Sequence, residues 1–279
     1  NEYYKKFSKA TMEIGGSGTL TSSPVTNDGN LIFSTSSNNN LSTTVSGGGN
    51  IIIEGSGTTT LSGSNTYTGD TFVSAGTLAV STNNALGTNG TGTIVASGAT
   101  LDLQNVNYST TEAITLNGGT IKTSTGTSSF AGGVTLGANS TLNVDGTQLT
   151  ISGVITDGVN DYDIEKTGSG ILVLSGTNTY TGTTTISSGT LAATAVKSLG
   201  ETSAATTVSD GATLRVSGGI NIAEPITLNG TGVSSKGALY FLSGNNTYSG
   251  NITLGSNSTI TSDAGNQTVS GTINGAHTL

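Results

Sequence analysis

Cysteine is absent from the 279 residues, which excludes disulfides, thiol nucleophiles and thiolate metal sites. Tryptophan is absent too, and histidine occurs once, at His277 near the C-terminal end. A lone imidazole among 37 serines singles out no Ser-His-Asp triad, since a triad needs an orienting partner and a water-excluding pocket. Residue 1 is asparagine, so N-terminal nucleophile chemistry has no support either. The chain reads as non-enzymatic and without cofactors. Charge is scarce: 8 Lys and Arg against 16 Asp and Glu give a net −8. That balance disfavours nucleic acid, because phosphate binding needs a basic face. No apolar run approaches the ~20 residues of a membrane helix, so no direct membrane insertion by this segment is expected. Proline occurs only twice, as expected where backbone N–H groups are needed in sheet ladders. Nor is there a sustained apolar i, i+3, i+4, i+7 stripe, so long helices are not expected.

What is present is 53 Thr, 43 Gly, 37 Ser and 26 Asn. Threonine favours strands, while Gly and Asn supply the positive-φ positions of tight turns. A flexible Gly/Ser/Thr linker is the competing reading. Against it, apolar residues recur in short alternating runs hinged at Gly or Asn. "VTLGANSTLNV" sets Val134 and Leu136 before a turn, then Leu142 and Val144 after it. "IVASGATLDL" does the same with Val95, Leu101 and Leu103, and "FVSAGTLAV" offers Val73, Leu78 and Val80. Period-2 alternation buries one face and wets the other, here with Ser, Thr or Asn outward.

A longer repeat overlies this rhythm. "LSGSNTYTGDT" at Leu61–Thr71 returns as "LSGTNTYTGTT" at Leu174–Thr184 and, shortened, as "LSGNNTYSG" at Leu242–Gly250. Tyr67 and Tyr180 are 113 residues apart, and "ITLNG" at Ile114 recurs at Ile226 with an offset of 112. The long units run from about 54 to 165 and from 166 to 279, within a repetitive region spanning 14–279. Short strands at rung-like spacing predict an all-β parallel β-solenoid of about a dozen coils, roughly 20–25 residues each. A sandwich or barrel array is the runner-up fold. The recurring phrase reads as coil punctuation. Gly69, Gly182 and Gly250 permit bends, and Asn65, Asn178 and Asn246 can bond neighbouring backbone. Tyr67, Tyr180 and Tyr248 supply corner or stacking rings, with sugar binding the sharper alternative.

The phrases "GSGTTTLSGSNTYTGDTFVSAGTLAV" and "KTGSGILVLSGTNTYTGTTTISSGTLAA" resemble the passenger-associated transport repeat of Gram-negative autotransporters. The second copy follows the family pattern nearly throughout. The first has Ile53-Glu54 where Lys-Thr is usual, and the third lacks the Gly-Thr-Leu close. The resemblance covers roughly residues 15–279. It implies a right-handed parallel β-helix passenger, exported through a C-terminal barrel and displayed on the bacterial surface or outside the cell. Outer-membrane attachment would follow if the full chain carries that barrel, which this sequence does not contain. A fragment of a longer chain, or reuse of the repeat without the barrel, is therefore expected.

Three further features carry expectations. The acidic run "TDGVNDYDIEK" holds Asp157, Asp161, Asp163 and Glu165, a weak Ca²⁺ candidate that matches no known loop and otherwise reads as a solvated protrusion. Arg215, the only arginine, is expected on the outward side between inward Leu214 and Val216. Residues 1–13 differ in composition from the rest, and Tyr3, Tyr4 and Phe7 could form one side of a short helix opposite Lys5, Lys6 and Lys9. That segment is expected to cap a solenoid end or to dock on a neighbour. The leading functional expectation is a surface rod for adhesion or self-association of the biofilm or aggregation type. Its partners would be a second copy, side by side or end to end, or a host surface or glycan. A passive stalk or filament subunit is the alternative, and a carbohydrate-active β-helix enzyme the minor one.

Overall fold

The computed structural model describes residues 5–16, 20, 23–88 and 92–279. Among these the fold is all-β, with a three-residue 3₁₀ turn at Val233–Ser235 as the only helical element. The chain divides into two compact units, Asn1–Gly137 and Ala138–Leu279.

In the first unit one parallel sheet runs through Lys5–Ile14, Val25–Phe33, Asn50–Ile53, Thr71–Val73, Gly92–Ala96 and Ala113–Asn117. A second runs through Asn39–Leu41, Thr58–Leu61, Thr77–Val80, Thr100–Leu103 and Thr120–Thr123. A short third pairs Asn107–Tyr108 with Thr127–Phe130. In the second unit one sheet carries Ser140–Val144, Ile164–Thr167, Thr184–Ile186, Thr206–Val208, Ile226–Gly230, Ile252–Ser258 and Ile273–Asn274. Another carries Gln148–Ile151, Ile171–Leu174, Thr190–Ala193, Thr213–Ser217, Leu239–Ser243 and Ile260–Ser262. A third holds Asn221–Ile222, Thr247–Tyr248 and Thr268–Val269. Apart from Lys5–Ile14 and Val25–Phe33, strands adjacent in a sheet are not consecutive in sequence. Successive strands of a sheet lie about one coil apart in sequence and pair in parallel, which makes a β-solenoid of about a dozen turns. Coil length follows from the register: Leu31 pairs with Ile51, 20 residues on, and Ile226 with Ile252, 26 on.

The core is built of columns. In the first unit Phe33, Ile53, Val73, Val95 and Leu116 stack in register, each no more than 1% exposed. In the second, Leu149, Leu172, Leu191, Leu214 and Leu239 form a fully buried leucine ladder. Burial of each such side chain contributes roughly 1.5–3 kcal/mol. A one-residue slip would turn a column to solvent, so the columns fix the register.

Lys5–Ile14 is a strand, not the short helix that its spacing allows. It pairs in parallel with Val25–Phe33, with a register shift between Ser8 and Thr11. A ladder of backbone hydrogen bonds outweighs the small gain of an isolated short helix, which is marginal in water. Tyr3 and Tyr4 lie outside the described residues.

Candidate functional site

The repeated phrase folds into a buried junction. Asn65 is 2% exposed, and its side chain ties its own coil to both neighbours. Asn65 Oδ1 accepts from Val45 N at 2.8 Å, and Nδ2 donates to Ala85 O at 2.5 Å. Asn178 repeats the arrangement, accepting from Ile155 N at 2.9 Å and donating to Ser198 O at 2.7 Å. Asn246 is similar in kind. Its oxygen takes Gly219 N and Ile220 N, and its nitrogen reaches Ser243 O, Gly244 O and Gln267 Oε1. An unpaired buried backbone group costs about as much as a lost hydrogen bond, and these amides satisfy such groups where strands are interrupted.

Tyr67, Tyr180 and Tyr248 are wholly buried, so none of them offers a ring to a sugar. The Tyr67 hydroxyl meets Thr71 Oγ1 at 2.6 Å and Tyr180 meets Thr184 Oγ1 at 2.8 Å. Tyr248 donates to Glu224 O at 2.9 Å. Burial pushes all three phenols above their ordinary range. Gly87 and Gly200 cover the first two rings at φ 88° and 89°, and a Cβ at either would stand 3.0 Å from a ring carbon. Gly69, Gly182 and Gly250 have ordinary φ. Their role is close approach, because a Cβ would strike the backbone of the preceding coil at Gly49, Tyr162 and Glu224 respectively.

Two carboxylates join the junctions, and sequence reasoning missed both. Glu112 and Glu224 are 1% and 2% exposed, and each precedes an "ITLNG" segment by one residue. Thr93 Oγ1 donates to Glu112 Oε1 at 2.6 Å, and Thr206 Oγ1 to Glu224 Oε1 at 2.7 Å. Burial, only partly offset by these hydrogen bonds, raises both carboxyls from 4.5 to about 8. They are carboxylic acids at neutral pH. The signal in the sequence was a glutamate kept at the same 112-residue offset as the phrase after it.

Lys166 opens "KTGSG" and is buried. Its Nζ donates to Thr167 O, Gly168 O and Ser188 O at 2.8, 2.8 and 3.0 Å. Burial lowers it from 10.5 to about 8, against the pull of Asp145. In the first copy Ile53 stands in this place, in the apolar column.

The acidic run does not converge on a metal. Asp157 is 2% exposed rather than solvated, its Oδ2 accepting from Tyr162 N and from Thr181 N and Oγ1. Asp161 accepts from Thr181 Oγ1, Asp163 from Thr183 and Asn139, and Glu165 from Ser187. Each carboxylate thus bonds a neighbouring coil, while the buried Asp157 Oδ1 has no hydrogen-bond partner among the described residues. Among the described residues no three His, Cys, Asp or Glu are placed to hold a metal ion. Arg215 is half-buried between buried Leu214 and Val216, in register with Tyr240. Tyr240 donates to Asp263, which also faces Lys236 at 3.5 Å. His277 is exposed, with no acid or nucleophile among the described residues bonded to it.

The outer faces differ between the units. In the second, Thr185, Thr207, Thr227 and Thr253 stack in register on the outside. In the first, the outward column is apolar: Ile32 pairs with Ile52, Ile52 with Phe72, and Phe72 with Ile94. All four are partly exposed. Beside them runs a polar ladder in which Asn50 Nδ2 donates to Asn30 Oδ1, Asp70 N to Asn50 Oδ1, and Gly92 N to Asp70 Oδ1.

Residues 54–80 and 164–193 match the family described as passenger-associated-transport-repeat. Over 235 residues the chain is 33% identical to the "Adhesin BmaC autotransporter" of Brucella suis biovar 1 (strain 1330). That alignment covers 72% of this chain and 7% of that protein. No solved structure matches the chain. The matched segments hold the first two Asn–Tyr junctions, and their coils stack in parallel throughout both units. This chain is a repeat region of an autotransporter passenger.

Proposed function

We propose that this segment is a non-enzymatic adhesive solenoid, displayed at the cell surface or released outside it, and that it makes contact through the outer face of the first unit. The observation that carries the reading is the column Ile32, Ile52, Phe72 and Ile94. A solenoid needs apolar residues on its inner face only. Strands that read "NLIF" and "NIII" are apolar on both faces, the pattern of a sheet covered on both sides. Inside, these strands pack on the core; outside, all four side chains stay partly exposed. The polar ladder along the column uses up hydrogen-bonding groups within the solenoid, which lowers the desolvation cost of laying a second surface against it. Low charge reduces repulsion between two copies. The relative's printed name, an adhesin, agrees with this assignment, and the occupant proposed here is a second copy of the same face.

The test is sedimentation equilibrium on the wild type and on Phe72→Lys. Because Phe72 is partly exposed and stacks between Ile52 and Ile94, the substitution is expected to cost about 1–2 kcal/mol of stability and to leave the core intact. The dimer dissociation constant is expected to rise at least roughly tenfold, the equivalent of losing about 1.4 kcal/mol of contact. Association unchanged by Phe72→Lys, or a wild type that stays monomeric at every concentration, would overturn the proposal. End-to-end fibres insensitive to Phe72→Lys would favour the filament reading instead.

A further inference from the structure

The two Glu junctions are not equally filled. In the first unit Tyr108 packs against Phe130, ring centroids 5.8 Å apart, and its hydroxyl completes the junction. That oxygen accepts from Leu86 N at 3.0 Å and lies 3.4 Å from Glu112 Oε2. The coils on either side are bridged by Asn83, which bonds Ser109 N and Oγ and Thr110 Oγ1.

Several of these parts are changed in the second unit. The strand Asn107–Tyr108, which pairs with Thr127–Phe130, has its counterpart in Asn221–Ile222, which pairs with Thr247–Tyr248. Ile222 thus replaces the phenol, Val196 stands at the 113-residue offset from Asn83, and the three residues between Tyr108 and Glu112 shrink to Ala223 alone. Leu199 and Gly200 keep the places of Leu86 and Gly87, but Ile222 has no hydroxyl to offer Leu199. What is left is a largely apolar cavity of about 110 Å³, bordered by Val196, Leu199, Gly200, Ile222, Ala223 and Glu224. Its rim is open, with Val196 62% exposed. Glu224 is 2% exposed, and its Oε2 has no hydrogen-bond partner.

We propose that this cavity binds a small phenol of about the size of p-cresol, which restores the ring and hydroxyl that Tyr108 provides in the first unit. An enclosed apolar cavity of about 150 Å³ holds benzene; this one is smaller but open at Val196, so the far end of the ring would lie at the rim. The ligand hydroxyl would sit between Leu199 N–H and the unpaired oxygen of Glu224, the two groups whose counterparts Tyr108 joins. A buried polar atom without a partner favours a ligand that supplies one and penalises one that does not. This site lies in the second unit and is independent of the apolar column proposed as the contact face.

Ligand-observed NMR titration of the whole chain with p-cresol and with toluene tests it. Saturable binding of one p-cresol per chain is expected, with toluene weaker by about tenfold for want of the hydroxyl. Ile222→Tyr, which rebuilds the phenol from within, is expected to abolish binding. No saturable p-cresol binding by the wild type would overturn the proposal, and so would undiminished binding by a folded Ile222→Tyr. Should that variant fail to fold, the wild-type comparison still decides: equal affinity for toluene would refute the hydrogen-bonded site.

Discussion

Raising the pH from 5 to 8 is expected to weaken this fold by several kcal/mol, and Glu112→Gln with Glu224→Gln is expected to remove most of that loss. In the native state burial holds both carboxyls protonated up to about 8, whereas in the unfolded chain they ionise near 4.5. Below 4.5 both states keep the proton and nothing is lost. Between 4.5 and 8 the unfolded chain releases protons that the native state retains, so stability falls as pH rises. The slope is about 1.4 kcal/mol per pH unit for each group, or roughly 4–5 kcal/mol each over the full interval. Lys166 does not offset this, because lowering its value from 10.5 to about 8 returns stability only as pH climbs beyond 8. The stability curve should therefore reach its low point near pH 8. Urea midpoints at pH 5, 6.5 and 8 measure it. Glutamine keeps an acceptor for Thr93 and Thr206 and cannot ionise, so the double variant should be nearly flat. A wild type whose midpoint does not move across this range would show that these carboxyls ionise freely in the folded chain.

Asn178→Ala is expected to cost about 2–6 kcal/mol, among the largest effects open to a single polar residue here. The substitution strands Ile155 N–H and Ser198 C=O in a buried site, each worth about 1–3 kcal/mol when left unsatisfied. Asn178→Asp is expected to be at least as damaging. It keeps the acceptor for Ile155 but sets a buried carboxylate against the carbonyl of Ser198. Thr177→Ala, next door and exposed, should stay within about 0.5 kcal/mol. Urea or thermal unfolding of the three variants distinguishes a structural staple from a surface amide. Equal midpoints for Asn178→Ala and Thr177→Ala would rule the staple out.

Much of the architecture was legible because the chain repeats itself. Alternation in "VTLGANSTLNV" assigns inward and outward residues, and the 113-residue offset between Tyr67 and Tyr180 says that both lie at one point on the coil. What was not legible depends on neighbours some 20 residues away. Alternation cannot say which face an unbroken run such as Ile51–Ile53 presents, so the outward column of Ile32, Ile52, Phe72 and Ile94 went unseen. Glu112 and Glu224 carry no local mark of burial; the neighbouring coils close over them. Asp157 looked solvated because Thr181, whose backbone and hydroxyl it binds, is 24 residues further on. The glycines of the repeated phrase were read as bends, but their reason is a strand passing too close for a side chain. That fact belongs to stacking, not to local sequence.

The asparagine staple also bears on how such a chain would acquire its structure if its coils were added one at a time. Asn65 takes one partner from Val45, in the coil before it, and one from Ala85, in the coil after it. A coil that carries this staple is not finished by its own residues; it is locked only when the coils on both sides are in place. Growth then behaves as a ratchet, in which every new turn penalises backward slippage of the one before it and the free energy of folding becomes directional pull along the chain.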